Sequence, residues 1–340
     1  DYDKVDEILK SVIDSDLANL RFTESFYKEE WNKVILSQNI STKEEYIKAS
    51  RIGRGTKLTR LERIGIWNIF QNFIDEMSNK DVRDIGLAMR DARTILELKP
   101  NLLSYKAIIV DEGQDFSSQA YMLIRKMLPE APNDLFIVGD SHQRIYKNNA
   151  SLGKCGINIK GRSKILKINY RTSEEIRRWA YSLLNNTVYD DLDDGVFEGK
   201  GYKSLFNGPA PIVKNFKTFG EEAQFLFEEV QSLNIEKETF RNLCIVCRTN
   251  NQVDQYKKYF EEKEASTYII KRSKSEDRSI EGIRFATMHR VKGLEFETVF
   301  IAGVNDGIMP LESFNRDEED ITVVRENEKA ERSLLYVAST

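Results

Sequence analysis

The 340 residues predict an α/β protein with two parallel-sheet domains behind a helical N-terminal region. Three observations carry that prediction. The first hundred residues hold helix-capping signals and apolar residues at helical spacing. Beyond them, short all-apolar runs alternate with amphipathic stretches, as in βα units on a parallel sheet. These runs end in polar or glycine-containing turns, where open α/β sheets place their ligands. The length accommodates two such domains and a helical accessory region.

In the N-terminal region Ser41 and Thr42 each precede a glutamate by three positions, and Thr59 with Glu62 repeats this capping-box spacing. After Thr59, the residues Leu61, Ile64, Trp67, Phe70, Ile74 and Met77 form a stripe expected to face a core. Strands are expected at Ala107 to Val110, Leu135 to Val138 and Ile165 to Ile168, and Thr172 with Glu175 is expected to cap the helix after the third. Residues 187 to 211 are acidic and rich in glycine and proline, and read as a loop. The alternation resumes with a helix near Glu221 to Leu233, a strand at Leu243 to Val246 and a helix from Gln252 to Lys263. Strands at Ile283 to Ala286 and Thr298 to Ala302 and a last helix from about Arg325 follow. The domains are drawn at 1–100, 101–164 and 165–340, with the two sheets sharing a cleft.

Charged residues are 31% and aromatic residues 10% of the chain, an ordinary globular composition. The net charge of −4 argues against a protein coated in polyanion. Basic runs at Arg51 to Arg63, Lys160 to Arg178 and Lys271 to Lys274 leave room either for a basic groove or for solvated faces. No apolar run approaches the roughly 20 residues that span a bilayer, and no leader pattern opens the chain, so a cytoplasmic protein without membrane contact is expected. Three cysteines are too few for a disulfide framework. Cys244 and Cys247 share a strand-like run that would aim them at opposite faces, which disfavours zinc.

Asp111 and Glu112 stand directly after an all-apolar strand. There one carboxylate could hold Mg²⁺ through its waters and the next orient a water for attack on a γ-phosphate; alternatively both merely cap a helix. Gln143 follows the second strand, where an uncharged amide could sense a terminal phosphate. Arg171 closes the third strand and could neutralise charge on a transferred phosphoryl group, with Tyr170 stacking on a base; a surface arginine and a packing tyrosine are the plain alternative. His289, one of two histidines, lies in a turn region with Gly293, and a lone histidine is commonly a structural group.

Order and spacing together say more. Asp-Glu-Gly-Gln-Asp at 111–115, Gly-Asp-Ser-His-Gln-Arg-Ile-Tyr at 139–146 and Asn-Tyr-Arg-Thr at 169–172 are followed by Thr-Met-His-Arg-Val-Lys-Gly-Leu-Glu-Phe at 287–296. Glu-Arg-Ser-Leu-Leu-Tyr-Val-Ala-Ser-Thr closes the series at 331–340. The set resembles motifs II to VI of UvrD/Rep-type superfamily 1 DNA helicases, over about residues 101 to 340. The resemblance implies two RecA-like domains, the first incomplete, that close around ATP and move on single-stranded DNA. It assigns Mg²⁺ to Asp111, the catalytic base to Glu112, the γ-phosphate sensor to Gln143, and a γ-phosphate contact to Arg171. Adenine stacking falls to Tyr170, the ribose to Glu295, and the single strand to Thr287 and His289.

The chain departs from the pattern in four places. It holds no GxxxxGK[ST] phosphate loop, and it stops at Thr340 where the family continues with a γ-phosphate-contacting arginine. A start inside the first motor domain is therefore expected, with negligible ATP hydrolysis by this polypeptide alone. Lys147, Asn148 and Asn149 stand where the family commonly carries an aromatic-arginine pair, which removes one expected stacking platform. The stretch between Lys263 and Ile283 is too short for a large accessory insertion, implying a compact motor. Three readings follow: an ATP-dependent helicase or translocase acting on single-stranded or tailed duplex DNA; a degenerate module binding nucleic acid or a partner without ATPase; and a motor subunit of a repair or defence complex with a nuclease partner.

Overall fold

The computed structural model describes residues 2–15, 22–51, 54–100, 102–145, 150–184, 201–233, 237–271, 276–312 and 321–340. Its contacts group into two compact units. The first takes in the described residues up to Ser141 together with 150–163; the second takes His142–Ile145 and the described residues from Lys164 onward. Among the described residues no helix is long and apolar enough to cross a membrane.

The first unit opens with α1 (Tyr2–Asp14), α2 (Glu24–Glu30), which continues into a π-helical turn at Trp31–Leu36, α3 (Lys43–Lys48), α4 (Arg60–Asn79) and α5 (Ile85–Leu98). The capping boxes Thr42–Glu45 and Thr59–Glu62 form as the spacing predicts. The α4 stripe is partly corrected. Leu61 is 80% exposed, and the buried line runs through Ile66, Trp67, Ile69, Phe70, Phe73 and Met77. Each three-residue step falls roughly 60° short of a full turn, so a stripe stepped mainly by threes winds off the core face.

The basic run from Arg51 is corrected too. The Arg51 Nε and Nη2 each donate at 2.8 Å to Glu30, which is buried and also accepts from the Tyr46 hydroxyl at 2.8 Å. Arg54 pairs with Glu29, and Arg63 donates to the carbonyls of Tyr46, Ile47 and Ala49 at the end of α3. These guanidinium groups hold the helical region together and form neither a groove for phosphates nor a solvated face. From the run Lys271 to Lys274, residues 272–274 lie outside the described residues, as do residues 147–149.

Next come β1 (Ile108–Val110), α6 (Ser118–Lys126) and β2 (Leu135–Ile137), with the strands parallel and Ile108 opposite Leu135. One side of this pair packs towards Tyr121, Leu152 and Ile157 through Leu135 and Ile137.

In the second unit β3 (Ile168–Asn169) precedes α7 (Glu174–Ser182) and pairs in parallel with β4 (Lys203–Ser204). The strand expected at Ile165 to Ile168 is thus displaced towards Asn169, and Ile165 and Leu166 are exposed. Its partner segment supplies ladder bonds from Lys203 and Leu205, whose N–H groups donate to the Lys167 and Asn169 carbonyls. Ser173, not Thr172, caps α7. The Thr172 hydroxyl accepts from Asn169 instead, and Glu175 accepts from the Gly208 N–H, so the expected capping box does not form. Of the loop expected at 187–211, residues up to 200 lie outside the described residues, and the remainder carries β4.

The main sheet follows: α8 (Phe219–Ser232), β5 (Leu243–Cys247), α9 (Asn250–Glu262), β6 (Thr267–Ile269), β7 (Ile283–Thr287), α10 (Met288–Val291), β8 (Thr298–Ala302) and α11 (Ile321–Ser339). The strand order is β6-β7-β5-β8, all parallel. Ala223, Leu226 and Val230 of α8, with Val253, Tyr256 and Phe260 of α9, cover the face carrying Ile245 and Cys247. Met288 and Val291 of α10, with Leu334 and Ala338 of α11, cover the face carrying Cys244 and Val246. Both faces being covered, every residue of β5 is buried, which is why its sequence is an unbroken apolar run. Cys244 and Cys247 enter opposite cores as the strand period requires, and burial pushes both thiols well above their usual pKa. The α/β class with parallel sheets and a helical N-terminal region is as the sequence predicts.

Candidate functional site

In the first unit β1 delivers Asp111 and Glu112 to its carboxyl end, both exposed. Glu112 is left-handed, at φ 52° and ψ 41°, which costs a non-glycine residue of order 1 kcal/mol or more and turns its side chain out of the strand direction. Asp111 accepts from the Glu112 N–H at 2.9 Å. Gln114, buried, locks this turn to the end of β2: its Nε2 donates to Glu112 at 2.5 Å and its Oε1 accepts from the Asp140 N–H at 2.9 Å. The packing leaves no space for a side chain at Gly113, where a Cβ would lie 2.6 Å from the Tyr121 hydroxyl and 2.8 Å from Ile137. Ser117, and neither carboxylate, caps α6, so the helix-capping alternative for Asp111 and Glu112 does not hold. The two acids offer the hard oxygen donors that Mg²⁺ takes, in the small number suited to an ion shared with phosphates and water.

In the second unit two of the sequence-predicted residues, Gln143 and Arg171, meet the loop that carries a third, Glu295. The backbone carbonyl of Gln143 accepts from Lys292 Nζ at 3.0 Å. Arg171 Nη2 donates to the Leu294 carbonyl, and its Nε lies 3.5 Å from the Glu295 carboxylate. Gly293, at φ 79°, lets the chain turn sharply there, as expected. Arg171 is aimed by Asn169, whose Oδ1 accepts from the N–H groups of Arg171 at 2.7 Å and Thr172 at 3.2 Å, an Asx turn at the strand end. Tyr170 stands beside it, 70% exposed as a residue.

Thr287 and His289 sit where β7 meets α10, at the carboxyl edge of the four-stranded sheet. Thr287 occupies the N-cap position without spending its side chain on the cap. His289 is half-buried. Desolvation, and then the positive charge of Arg248, depress its pKa below the ordinary 6.5. Arg248 itself is buried in a two-pronged pair with Glu331.

Thus Gln143, Arg171 and Glu295 gather at 292–295, Thr287 and His289 lie at the end of β7, and Asp111 and Glu112 belong to the first unit. The sequence reading gave no role to Gln114, Asn169, Lys292 and Glu331, although they lie within the quoted motifs, and passed over Arg248. Only Asn169 carried a local signal, as an asparagine ending a strand before a turn.

Comparison with known proteins matches residues 1–152 to the family model "UvrD/REP helicase N-terminal domain" and residues 165–274 and 266–340 to "UvrD-like helicase C-terminal domain". A "Probable DNA helicase" of Mycoplasma pneumoniae is 24% identical over 239 residues, covering 68% of this chain and 41% of that protein. An "ATP-dependent DNA helicase UvrD1" of Mycobacterium bovis is 27% identical over 208 residues, covering 54% of this chain and 25% of the relative. An "ATP-dependent DNA helicase Rep" of Buchnera aphidicola is 32% identical over 201 residues, covering 55% and 29% respectively. The chain spans less than half the length of each. With both family models matched in order and the strand-end residues placed as described, the chain belongs to the UvrD/Rep helicase family.

Proposed function

We propose that the protein to which this chain belongs is an ATP-dependent DNA helicase or translocase that moves on single-stranded DNA, with the domains bounded near residues 100 and 164. Asp111 holds Mg²⁺ through its waters and Glu112 takes the proton of the attacking water. Gln143 senses the γ-phosphate, Arg171 neutralises charge developing on it, Tyr170 stacks on adenine and Glu295 meets the ribose. Thr287 and His289 contact the single strand. Mg²⁺ supplies charge neutralisation of the β- and γ-phosphate oxygens when bound.

One observation carries this reading. Gln143, by its backbone carbonyl, and Arg171, far apart in sequence, both reach the loop of the second unit that carries Lys292, Leu294 and Glu295. A guanidinium and a carboxylate so paired, on a loop that Lys292 ties to the Gln143 backbone, suit a nucleotide, with its anionic end towards Arg171 and its hydroxyls towards Glu295. The 340 residues contain no GxxxxGK[ST], so the chain by itself should bind nucleotide weakly and hydrolyse it negligibly.

ATP turnover by the full-length protein, measured with and without oligo(dT) and followed by strand separation of a tailed duplex, tests the proposal. DNA-stimulated hydrolysis with strand separation is the expected result. Stimulation without separation points to a translocase, or to the motor of a nuclease-containing repair or defence complex. Absence of hydrolysis contradicts the proposal in favour of a binding module.

A further inference from the structure

Arg248 follows the last residue of β5, and Glu331 lies midway along α11. Their side chains meet in a fork, Nε to Oε2 at 2.8 Å and Nη2 to Oε1 at 2.7 Å, with only 6% and 7% of each exposed. Two parallel N–H···O bonds fix the angle between the planar groups as well as their distance. The pair is too enclosed to grip DNA itself. A net gain in stability explains it poorly, because a buried ion pair is on average no more stabilising than apolar side chains of similar volume. Fixing one arrangement among several is the better use of such a pair.

What it stands beside suggests which arrangement. The one-turn α10 packs Met288 and Val291 against Leu334 and Ala338 of α11 and Val246 of β5. A helix of four residues cannot hold its own conformation, and no side chain caps its start, so its orientation is imposed by its surroundings. His289, between Met288 and Val291, lies close enough to feel the charges of both Arg248 and Glu331. Apolar contacts alone would let α10 slide or rotate on α11. The fork pins α11 to the end of β5, the strand hydrogen-bonded to β7, from which α10 springs.

We infer that the buried Arg248–Glu331 pair is a positioning device: it sets α11 against the sheet so that the Thr287–His289 turn is held in the orientation that receives a single strand. The inference rests on the assignment of Thr287 and His289 to single-strand contact made above.

The test uses the 340-residue chain, a fluorescent oligo(dT) read by anisotropy, and isotope-labelled histidine. The chain has two histidines, His142 and His289, and the spectrum of His289→Gln identifies the second resonance. Replacing both partners with apolar residues, Arg248→Met with Glu331→Leu, keeps the volume and should leave the melting temperature within a few degrees. The double variant should nevertheless bind oligo(dT) about tenfold more weakly, as expected for a displaced contact group. Its His289 resonance should be shifted in the unliganded chain and should no longer respond to DNA. Wild-type affinity with an unaltered His289 resonance overturns the inference while leaving the assignment of the turn intact. A wild-type chain that does not bind oligo(dT), or whose His289 resonance ignores it, overturns the assignment, and the inference with it. Should the double variant not fold, Arg248→Lys keeps the charge but loses the fork; a His289 resonance and affinity unchanged from wild type would overturn the inference equally.

Discussion

Arg171, at the end of β3, lies 3.5 Å from Glu295, which follows the turn after α10. Both side chains are substantially exposed, and such a pair is worth little in water. Its geometry matters more than its energy: a guanidinium held by an Asx turn on one side and by the Leu294 carbonyl on the other is already aimed. A phosphate is a more highly charged partner than Glu295 and can displace it. Arg171→Ala should therefore change stability by no more than about 0.5 kcal/mol, while ATP turnover by the full-length protein should fall by about a thousandfold. Denaturant melts and steady-state hydrolysis measure the two; equal turnover would remove Arg171 from the phosphate site.

Gln114→Ala acts on the other unit. It leaves the Asp140 N–H without the amide oxygen it donates to and releases Glu112 from its clamp. A loss of about 1 kcal/mol is expected, because the half-buried Asp140 N–H loses the partner that satisfies it. Urea unfolding of the 340-residue chain reads this directly, and a loss below a few tenths would show that the lock is unimportant.

Tyr170 contributes little to the core, so Tyr170→Ala should be thermally silent. Removing a base-stacking ring costs about 1–3 kcal/mol of binding, at least several-fold in nucleotide affinity, and Tyr170→Phe should restore it. Titration of the full-length protein with a fluorescent adenine nucleotide separates the variants. Equal affinity of all three would place the adenine elsewhere.

His289 gives a pH signature. Burial and Arg248 both disfavour its imidazolium, so its pKa is lower in the folded chain than the ordinary 6.5 of the unfolded one. Above that value both states are neutral and His289 has no effect. As the pH falls through it, the unfolded chain takes up the proton first and stability declines until the folded group protonates as well. Urea midpoints between about pH 7.5 and 5 should show this decline, and His289→Gln should remove its share of the slope. An unchanged slope would mean that His289 is solvated and ordinary.

The sequence made some of this legible and hid the rest for physical reasons. Strand β5 announces itself because a parallel strand covered on both faces is apolar throughout. Strands β7 and β8 show mostly apolar runs, although β7 buries Arg284 and β8 leaves Val299 partly exposed. By contrast β4 is the dipeptide Lys203–Ser204 and β6 only Thr267–Ile269, too short to show a period. The strand-end residues Asp111, Gln143, Arg171 and Glu295 stood out through spacing between motifs. Their supports did not, because Arg248 finds Glu331 83 residues away and Gln114 finds Asp140 26 residues away. Nothing local says that either pair meets. Likewise Arg51, Arg54 and Arg63 look like a basic surface until their buried glutamate and carbonyl partners are known.

Glu112 carries the central claim, since a carboxylate turned out of the strand at the end of β1 is assigned the one proton transfer in the reaction. The most direct measurement compares Glu112→Gln with wild type in the full-length protein, reading DNA-stimulated ATP hydrolysis beside nucleotide binding. Loss of a general base should lower turnover by about a hundredfold or more, with nucleotide affinity retained. Turnover at the wild-type rate would show that no proton passes through Glu112 and would contradict the account.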